Sequence, residues 1–299
     1  MRNLGRVRVM NPEIQVAKTL VKGALVGLNS YIKPGGLHRL APGKLFDEVH
    51  CNLVVSIDHV AEAVTVGESA RKGEIIATTV DYGKMFSGAL KESFRSCGAV
   101  HPQYVVPLLV VGFSIGLSGV ESILEESAKF KKALEIVNST NRWSDLKQFI
   151  ELLRIVGRND MFEHLQAQGY TQLALLKSGI TLNEVLRTLS SQWRGFSIID
   201  SREGSLFGYL KKIDDLYKEY KELDTACVAL YMDLIKPHVP QVFQDKLQSA
   251  EACKYMGTPE CAKLMYELDV LFRKNKLNYY WASEIVTLTS ALGSFEGLK

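Results

Sequence analysis

The sequence predicts an all-α protein built as a single large helical domain, and three observations support this fold class. Apolar residues recur every three or four positions over most of the chain, which is the spacing of one helix face. Strand-like composition is limited to residues 75–80 and 196–199, which have no partner at hairpin spacing. Glycine and proline clusters separate the periodic segments, and no low-complexity linker divides residues 1–299 into two domains.

Helical segments are predicted, in chain order, at residues 14–28, 46–66, 104–117, 120–137, 146–156, 206–232 and 285–292. The segment 46–66 has one continuous apolar stripe, so we expect a single helix of about six turns there. The breaks between segments carry glycine or proline, at residues 33–36, 42–43, 236–240 and 257–259.

Residues 104–117 (YVVPLLVVGFSIGL) are nearly all apolar, which raises the alternative of a transmembrane helix. Pro107 and the polar residues before the segment leave less than the roughly 20 apolar residues that a bilayer requires. We therefore expect no membrane partner and a central helix buried on all sides. Gly112 and Gly116 have GxxxG spacing and would let a neighbouring helix approach closely.

The composition indicates a folded protein with little net charge. Of 299 residues, 46% are hydrophobic, and 36 Lys and Arg stand against 33 Asp and Glu, a net charge of +3 at pH 7. A disordered or collagenous chain is excluded by this apolar content. The basic excess is too small to indicate a nucleic-acid surface, so an anionic partner would be bound by a local pocket.

The five cysteines are scattered along the chain, at Cys51, Cys97, Cys227, Cys253 and Cys261. Their odd number and the absence of a CxxC pair argue against a disulfide framework or a zinc site and favour a reducing compartment. The N-terminal residues are basic but lack an apolar core of signal-peptide length. We therefore expect a cytoplasmic protein.

The most unusual local sequence is residues 29–39 (NSYIKPGGLHR), directly after the first predicted helix. Pro34 ends that helix, and Gly35 and Gly36 permit backbone conformations in which N–H groups face an anion. Basic side chains flank the glycine pair: Lys33, His38 and Arg39. On these residues alone the pattern favours a solvated interhelical turn, with a phosphate-binding turn as the alternative; it is not a Walker A motif.

Three blocks of sequence share order and spacing with one enzyme family. The first comprises Ala24-Leu25, Asn29 and residues 33–39 (KPGGLHR), the second residues 213–220 (IDDLYKEY), and the third residues 277–285 (LNYYWASEI). Together they resemble the triphosphoribosyl-dephospho-CoA synthases, which are all-α enzymes. The blocks span nearly the whole chain, although each one alone is a weak signal.

The resemblance implies a transferase that joins the ribosyl triphosphate of ATP to the 2′-hydroxyl of dephospho-CoA, or of another acceptor, and releases adenine. Carboxylates stabilise the cationic sugar of such a displacement and accept protons, and the triphosphate requires cations. The residues that the resemblance assigns to catalysis are Asp214, Glu219 and Glu284. Those it assigns to phosphate or nucleotide binding are Lys33, Gly35, Gly36, His38, Arg39 and Asn278. A Mg²⁺ ion is expected at Asp214, Asp215 and Glu219, and a homodimer is compatible with this family.

The chain also departs from the family pattern. Gly27 stands in place of a glutamate, and residues 98–101 (GAVH) replace a G-x-N-T turn. Residues 241–248 do not keep the Asp and Arg of the family's D-x-L-I-x-R-K-x-G segment, and residues 279–281 (YYW) replace a PGTT turn. These departures favour an alternative function, a catalytically inactive homologue that serves as a nucleotide-binding or assembly module.

Two of the assigned segments also have purely structural explanations. Residues 210–223 (LKKIDDLYKEYKEL) fit an exposed amphipathic helix laced with Asp/Glu–Lys pairs. The aromatic residues 279–281 fit either a packed corner or a surface on which adenine stacks. Glu284 is expected to be a buried or rim carboxylate of the last helix.

Overall fold

The computed structural model describes residues 11–140, 142–177, 179–200, 205–255 and 258–299, and their regular secondary structure is helical throughout. The predicted all-α class is therefore confirmed. The α-helices are α1 Pro12–Asn29, α2 Leu45–Val55, α3 Ile57–Arg71, α4 Tyr82–Cys97, α5 Pro102–Ser118, α6 Ser127–Asn138, α7 Trp143–Ile155, α8 Asn159–Ala167, α9 Gln172–Lys177, α10 Leu182–Ser190, α11 Ser205–Tyr220, α12 Leu223–Ile235, α13 Gln244–Ala252, α14 Pro259–Lys274 and α15 Tyr280–Phe295. The two strand-like segments form 3₁₀ turns instead, Ala77–Thr79 and Arg194–Ile199.

Two predicted helices are divided by local backbone features. The segment 46–66 breaks at Ser56, whose buried hydroxyl donates to the Leu53 carbonyl at 2.7 Å, so that α2 and α3 are separate helices. The segment 206–232 breaks after Tyr220, because Lys221 has a φ of 63°. A residue in the left-handed region ends a helix, and α12 begins two residues later.

Helix α5 is the centre of the fold, and every residue from Pro102 to Gly116 is buried. A Cβ atom at Gly116 would lie 2.1 Å from the Val64 carbonyl oxygen, and one at Gly67 would lie 2.2 Å from the Phe113 carbonyl oxygen. Helices α3 and α5 therefore pack backbone against backbone, which confirms the predicted close approach at the glycines. Within the described parts of the chain, no helix combines the length and the apolar character needed to cross a bilayer.

The first and last helices pack antiparallel through small residues. A Cβ atom at Gly23 would lie 2.5 Å from the Ser290 carbonyl oxygen, and one at Gly27 would lie 2.7 Å from Ser290 Cβ and 2.9 Å from Thr287 Cα. The space beside Gly27, where the family pattern has a glutamate, is therefore filled by α15. The departure at this position has a packing reason.

The expectation that the cysteines are unpaired is wrong for four of them. Cys51 of α2 is joined to Cys97 of α4, and Cys253 after α13 is joined to Cys261 of α14, with Cα atoms 5.8 and 5.9 Å apart. Cys227 is buried and free. The first pair could not be predicted from the spacing of the cysteines, because the two residues are 46 positions apart and only folding brings them together. In the chain-entropy account, closing such a loop stabilises the fold by about 4 kcal/mol.

Substitution of glycine by alanine in two helices should change stability in opposite directions. Gly116→Ala places a methyl group against the α3 backbone and should lower the free energy of unfolding by at least about 2 kcal/mol. Gly208→Ala is the matched control, because nothing lies within 4 Å of a Cβ at this exposed position of α11. There the higher helix propensity of alanine should raise stability by about 1 kcal/mol. Urea unfolding measures both, and equal effects would contradict the backbone contact of α3 and α5.

Candidate functional site

The glycine turn at residues 33–39 is closed by an internal carboxylate. The Gly35 N–H donates to Oδ1 of Asp269, on α14, at 2.9 Å. Oδ2 of Asp269 accepts the Arg273 Nε–H at 2.9 Å and lies 3.5 Å from Nε2 of His38. Burial raises the pKa of Asp269, but the hydrogen bonds from His38, Arg273 and Gly35 outweigh it and hold the pKa below its usual value. The ionised carboxylate thus accepts the hydrogen bond of the Gly35 N–H, the group that the sequence assigns to a phosphate.

Two further helices hold the same turn. The Tyr231 hydroxyl of α12 donates to the Pro34 carbonyl at 2.7 Å. The Leu37 N–H donates to the Ser283 hydroxyl of α15 at 2.8 Å. Gly35 has a φ of 69°, and a Cβ there would lie 2.8 Å from the Leu277 carbonyl oxygen, so glycine is required by both conformation and space.

His38 is buried inside this turn, with 1% of its surface exposed. The Leu40 N–H donates to Nδ1 at 3.3 Å, and Nε2 lies 3.2 Å from Nη2 of Arg273 and 3.5 Å from Oδ2 of Asp269. Burial lowers the pKa of His38 and outweighs the opposing effect of Asp269. His38 is therefore an internal contact of the Asp269–Arg273 pair and does not face solvent.

Lys33 is fully buried and directed back toward α1. Its Nζ donates to the carbonyl oxygens of Gly27 and Leu28 at 2.5 and 3.2 Å, so the amino group caps the C-terminal end of α1. Burial lowers its pKa to about 7, although Cys227 and Asp224 act in the opposite direction. This amino group is enclosed and does not face solvent.

Of the remaining predicted phosphate and nucleotide groups, Arg39 and Asn278 reach the surface separately, and Gly36 is buried. The exposed Arg39 places its guanidinium carbon 3.5 Å from the centre of the Tyr31 ring, a cation–π contact. The exposed Asn278 accepts the Tyr280 N–H through Oδ1 at 2.9 Å, just before α15. The Gly36 N–H donates to the Lys33 carbonyl at 2.8 Å.

The acidic residues of α11 lie away from the turn and pair with a lysine. Lys218 Nζ lies 2.5 Å from Asp214 and 3.8 Å from Asp215, and Glu219 is exposed. Their neighbour Ile213 packs near Gly293 of α15. That is ten residues beyond Ser283, or about 15 Å along the helix at 1.5 Å per residue.

These ion pairs are those expected of an exposed amphipathic helix. Among the residues that the structure describes, no group of three or more His, Cys, Asp or Glu side chains is arranged to hold a metal ion. Asp214 and Asp215 are paired with Lys218 here, and a magnesium site at Asp214, Asp215 and Glu219 stays a prediction.

Glu284 is a buried carboxylate, 6% exposed, that supports the 3₁₀ turn Arg194–Ile199. Its Oε2 accepts the Gly195 N–H at 2.9 Å, and its Oε1 accepts the Gln103 amide at 3.3 Å. Burial raises the pKa of Glu284 to about 7, against the opposing effects of Gly195, Gln103 and the nearby Arg158. Arg158 in turn donates to Gln103 Oε1 at 3.1 Å, which extends the network toward the surface.

A cleft of about 540 Å³ lies at the N-terminal end of α15. This volume falls within the range of small-molecule sites. The lining combines aromatic, cationic, amide and hydroxyl groups: Tyr279, Trp281, Arg194, His238, Asn278 and Ser197. The rings of His238 and Trp281 pack edge to face with centres 5.3 Å apart. Arg194 and Ile285 line the cleft, whereas the carboxyl group of their neighbour Glu284 lies behind this wall.

The structure therefore brings only Asn278 of the assigned residues into this cleft, together with Tyr279 and Trp281 of the third block. Arg194 and His238 were missed by the sequence predictions. His238 lies between two prolines in a segment interpreted as a helix break, and Arg194 precedes a segment interpreted as strand-like. A histidine in an exposed proline-rich break is a signal that could have identified His238.

Comparisons with protein-family models, with curated proteins and with solved structures found no match to this chain. Membership of the triphosphoribosyl-dephospho-CoA synthases thus stays a prediction from the three blocks.

The buried carboxyl of Glu284 should make stability depend on pH. Its pKa is raised in the folded state, so the native protein binds more protons than the unfolded chain, and stability falls as pH rises from about 4.5 to 7. Between pH 4.5 and 8, Glu284→Gln should gain stability relative to the wild type by an amount on the order of 3 kcal/mol. Urea unfolding over this pH range measures the difference. The control Glu267→Gln changes an exposed residue of α14 and should follow the wild type.

Proposed function

We propose that this chain is a nucleotide-binding transferase that takes ATP into the cleft at the start of α15. It would transfer the ribosyl triphosphate to a hydroxyl acceptor, dephospho-CoA or a related molecule, and release adenine. The observation that carries the proposal is the convergence of Trp281, Arg194 and His238 on one cleft formed by the third block.

Each of these side chains matches one part of ATP. The indole face of Trp281 can stack on the adenine ring. The guanidinium of Arg194 is exposed and can donate two parallel hydrogen bonds to a phosphate. The imidazole of His238 is of the side-chain type most often used for general acid–base catalysis.

The transfer breaks the bond between the ribose carbon and the adenine nitrogen and forms a bond from that carbon to the acceptor oxygen. Adenine leaves with the electron pair and takes up a proton, and the acceptor hydroxyl loses one. His238 is the group in the cleft assigned to proton transfer. Glu284 does not touch the cleft, so the proposal gives it a positioning role: its bond to the Gly195 N–H holds the segment that carries Arg194.

No step of this proposal is routed through magnesium; a Mg²⁺ ion at Asp214, Asp215 and Glu219 would help to neutralise the triphosphate. A cytoplasmic location belongs to the proposal, since ATP is the substrate. The disulfides Cys51–Cys97 and Cys253–Cys261 argue against a cytoplasmic location, because disulfides are rare in the reducing cytosol.

A second candidate function is the inactive homologue that serves as a nucleotide-binding or assembly module. The observation that favours it is that the Lys33 amino group and the Gly35 N–H of the glycine turn already have hydrogen-bond partners within the protein. Lys33 binds the end of α1, and the Gly35 N–H binds Asp269, so neither group is open to a phosphate in this structure. Adenine release distinguishes the two candidates, because a module without catalysis releases none.

Removal of the Arg194 guanidinium should weaken ATP binding. Calorimetry with ATP should show binding to the wild type and about tenfold weaker binding to Arg194→Ala, since a hydrogen bond to a charged group is lost. The control Arg154→Ala removes an exposed arginine of α7 that pairs with Glu151, and its ATP affinity should equal that of the wild type. Chromatography should detect adenine when the wild type is incubated with ATP and dephospho-CoA.

Two results would contradict the nucleotide-binding proposal. One is the absence of ATP binding by the wild type at millimolar concentration. The other is equal weakening of ATP binding by Arg194→Ala and Arg154→Ala.

A further inference from the structure

A second cavity, a groove of about 1030 Å³, lies between α3 and α4. Residues of the 75–81 segment and Gln148 of α7 complete its walls, and it shares no lining residue with the α15 cleft. Its volume is at the upper end of the range for small-molecule sites. The groove is therefore large enough for an elongated ligand.

Helix α4 presents a cationic stripe to this groove. Lys84, Lys91 and Arg95 share one helix face with Gly88, because the positions are spaced by four, three and four residues. No carboxylate of the described chain forms an ion pair with any of the three cations, and all three are exposed. Lys91 and Arg95 also repel each other at a spacing of four residues. None of these three cations is therefore neutralised by an ion pair in the described structure.

The carboxylates of the same groove, in contrast, have partners within the chain. Nε2 of His59 lies 2.8 Å from Glu92, and Nδ1 of His59 lies 3.9 Å from Glu62. Asp81 accepts the Lys84 backbone N–H at 2.8 Å and so caps α4. The lining thus holds three carboxylates beside the three cations, and each carboxylate has a hydrogen-bond or ion-pair partner in the described structure, whereas the cations form no ion pair there.

The His59 ring lies at the middle of the stripe, and one side of the groove is apolar. A Cβ at Gly88 would lie 3.4 Å from the His59 ring, so the imidazole packs on the α4 backbone between Lys84 and Lys91. Val66 and Ile75 also line the groove. The groove consequently offers charge along one wall and apolar surface along another.

We propose that this groove binds a small, elongated organic anion that carries phosphate groups and an apolar portion. The phosphates would pair with Lys84, Lys91 and Arg95, the last through the two parallel hydrogen bonds that a guanidinium offers. The stripe from Lys84 to Arg95 covers eleven residues, or about 16 Å, so it can engage more than one phosphate. The site is independent of the proposed transferase function, because no residue is shared with the α15 cleft.

Calorimetry with two probes, tripolyphosphate and octyl phosphate, tests the site at low ionic strength. The titrations use the Arg194→Ala protein, so that the cation of the α15 cleft does not contribute. Lys91→Glu, added to this protein, should weaken tripolyphosphate binding at least tenfold. Lys132→Glu, at an exposed lysine of α6 outside the groove, should change it less than twofold. Octyl phosphate should bind more tightly than inorganic phosphate, because its chain contacts the apolar wall.

Three results would overturn the proposal: no binding of either probe at millimolar concentration, equal weakening by Lys91→Glu and Lys132→Glu, or octyl phosphate binding no better than inorganic phosphate. If Lys91→Glu fails to fold, as judged by circular dichroism, Lys91→Gln provides the same comparison. The ATP titrations of the wild type test the α15 cleft separately, so failure of one proposal is distinguishable from failure of the other.

Discussion

The hydrogen bond from the Gly35 N–H to the Asp269 carboxylate fixes the N-terminal helices relative to the C-terminal ones. It joins residues 234 positions apart, and the Tyr279 N–H returns to the Gly35 carbonyl at 3.0 Å. Helix α15 begins at the next residue, so the turn determines where that helix starts. The cleft depends on this contact, because Trp281 lies in the first turn of α15 and Glu284 supports the cleft wall from behind.

The same contact relates the turn to the departures from the family pattern. Helix α15 runs from the turn along α1, and its close packing leaves no room for a side chain at Gly27. The turn keeps the glycines of the first block, but its N–H group meets a carboxylate of the chain itself. The two concavities proposed as ligand sites, the cleft at the start of α15 and the groove along α4, lie outside this turn.

Local periodicity was sufficient to predict the helical class and the buried α5, because the three-or-four spacing depends only on neighbouring residues. The helix breaks at Ser56 and Lys221 and the pair Cys51–Cys97 depend on packing between distant segments, which periodicity does not report. The glycine turn shows the same difference between what neighbouring residues determine and what distant residues determine. Its sequence correctly indicates a backbone suited to an anion, but Asp269 stands in no motif that could identify it as that anion.

The most direct test of this account is the amide proton of Gly35, followed by NMR during a pH titration of the wild type and of Asp269→Asn. In the wild type, the amide should exchange slowly with solvent, and its shift should titrate only below the ordinary aspartate pKa of about 4, because the pKa of Asp269 is lowered. That titration should be absent in Asp269→Asn, and inorganic phosphate should leave the wild-type amide unchanged. A rapidly exchanging Gly35 amide whose shift responds to phosphate would contradict the account, because the turn would then be open to an external anion.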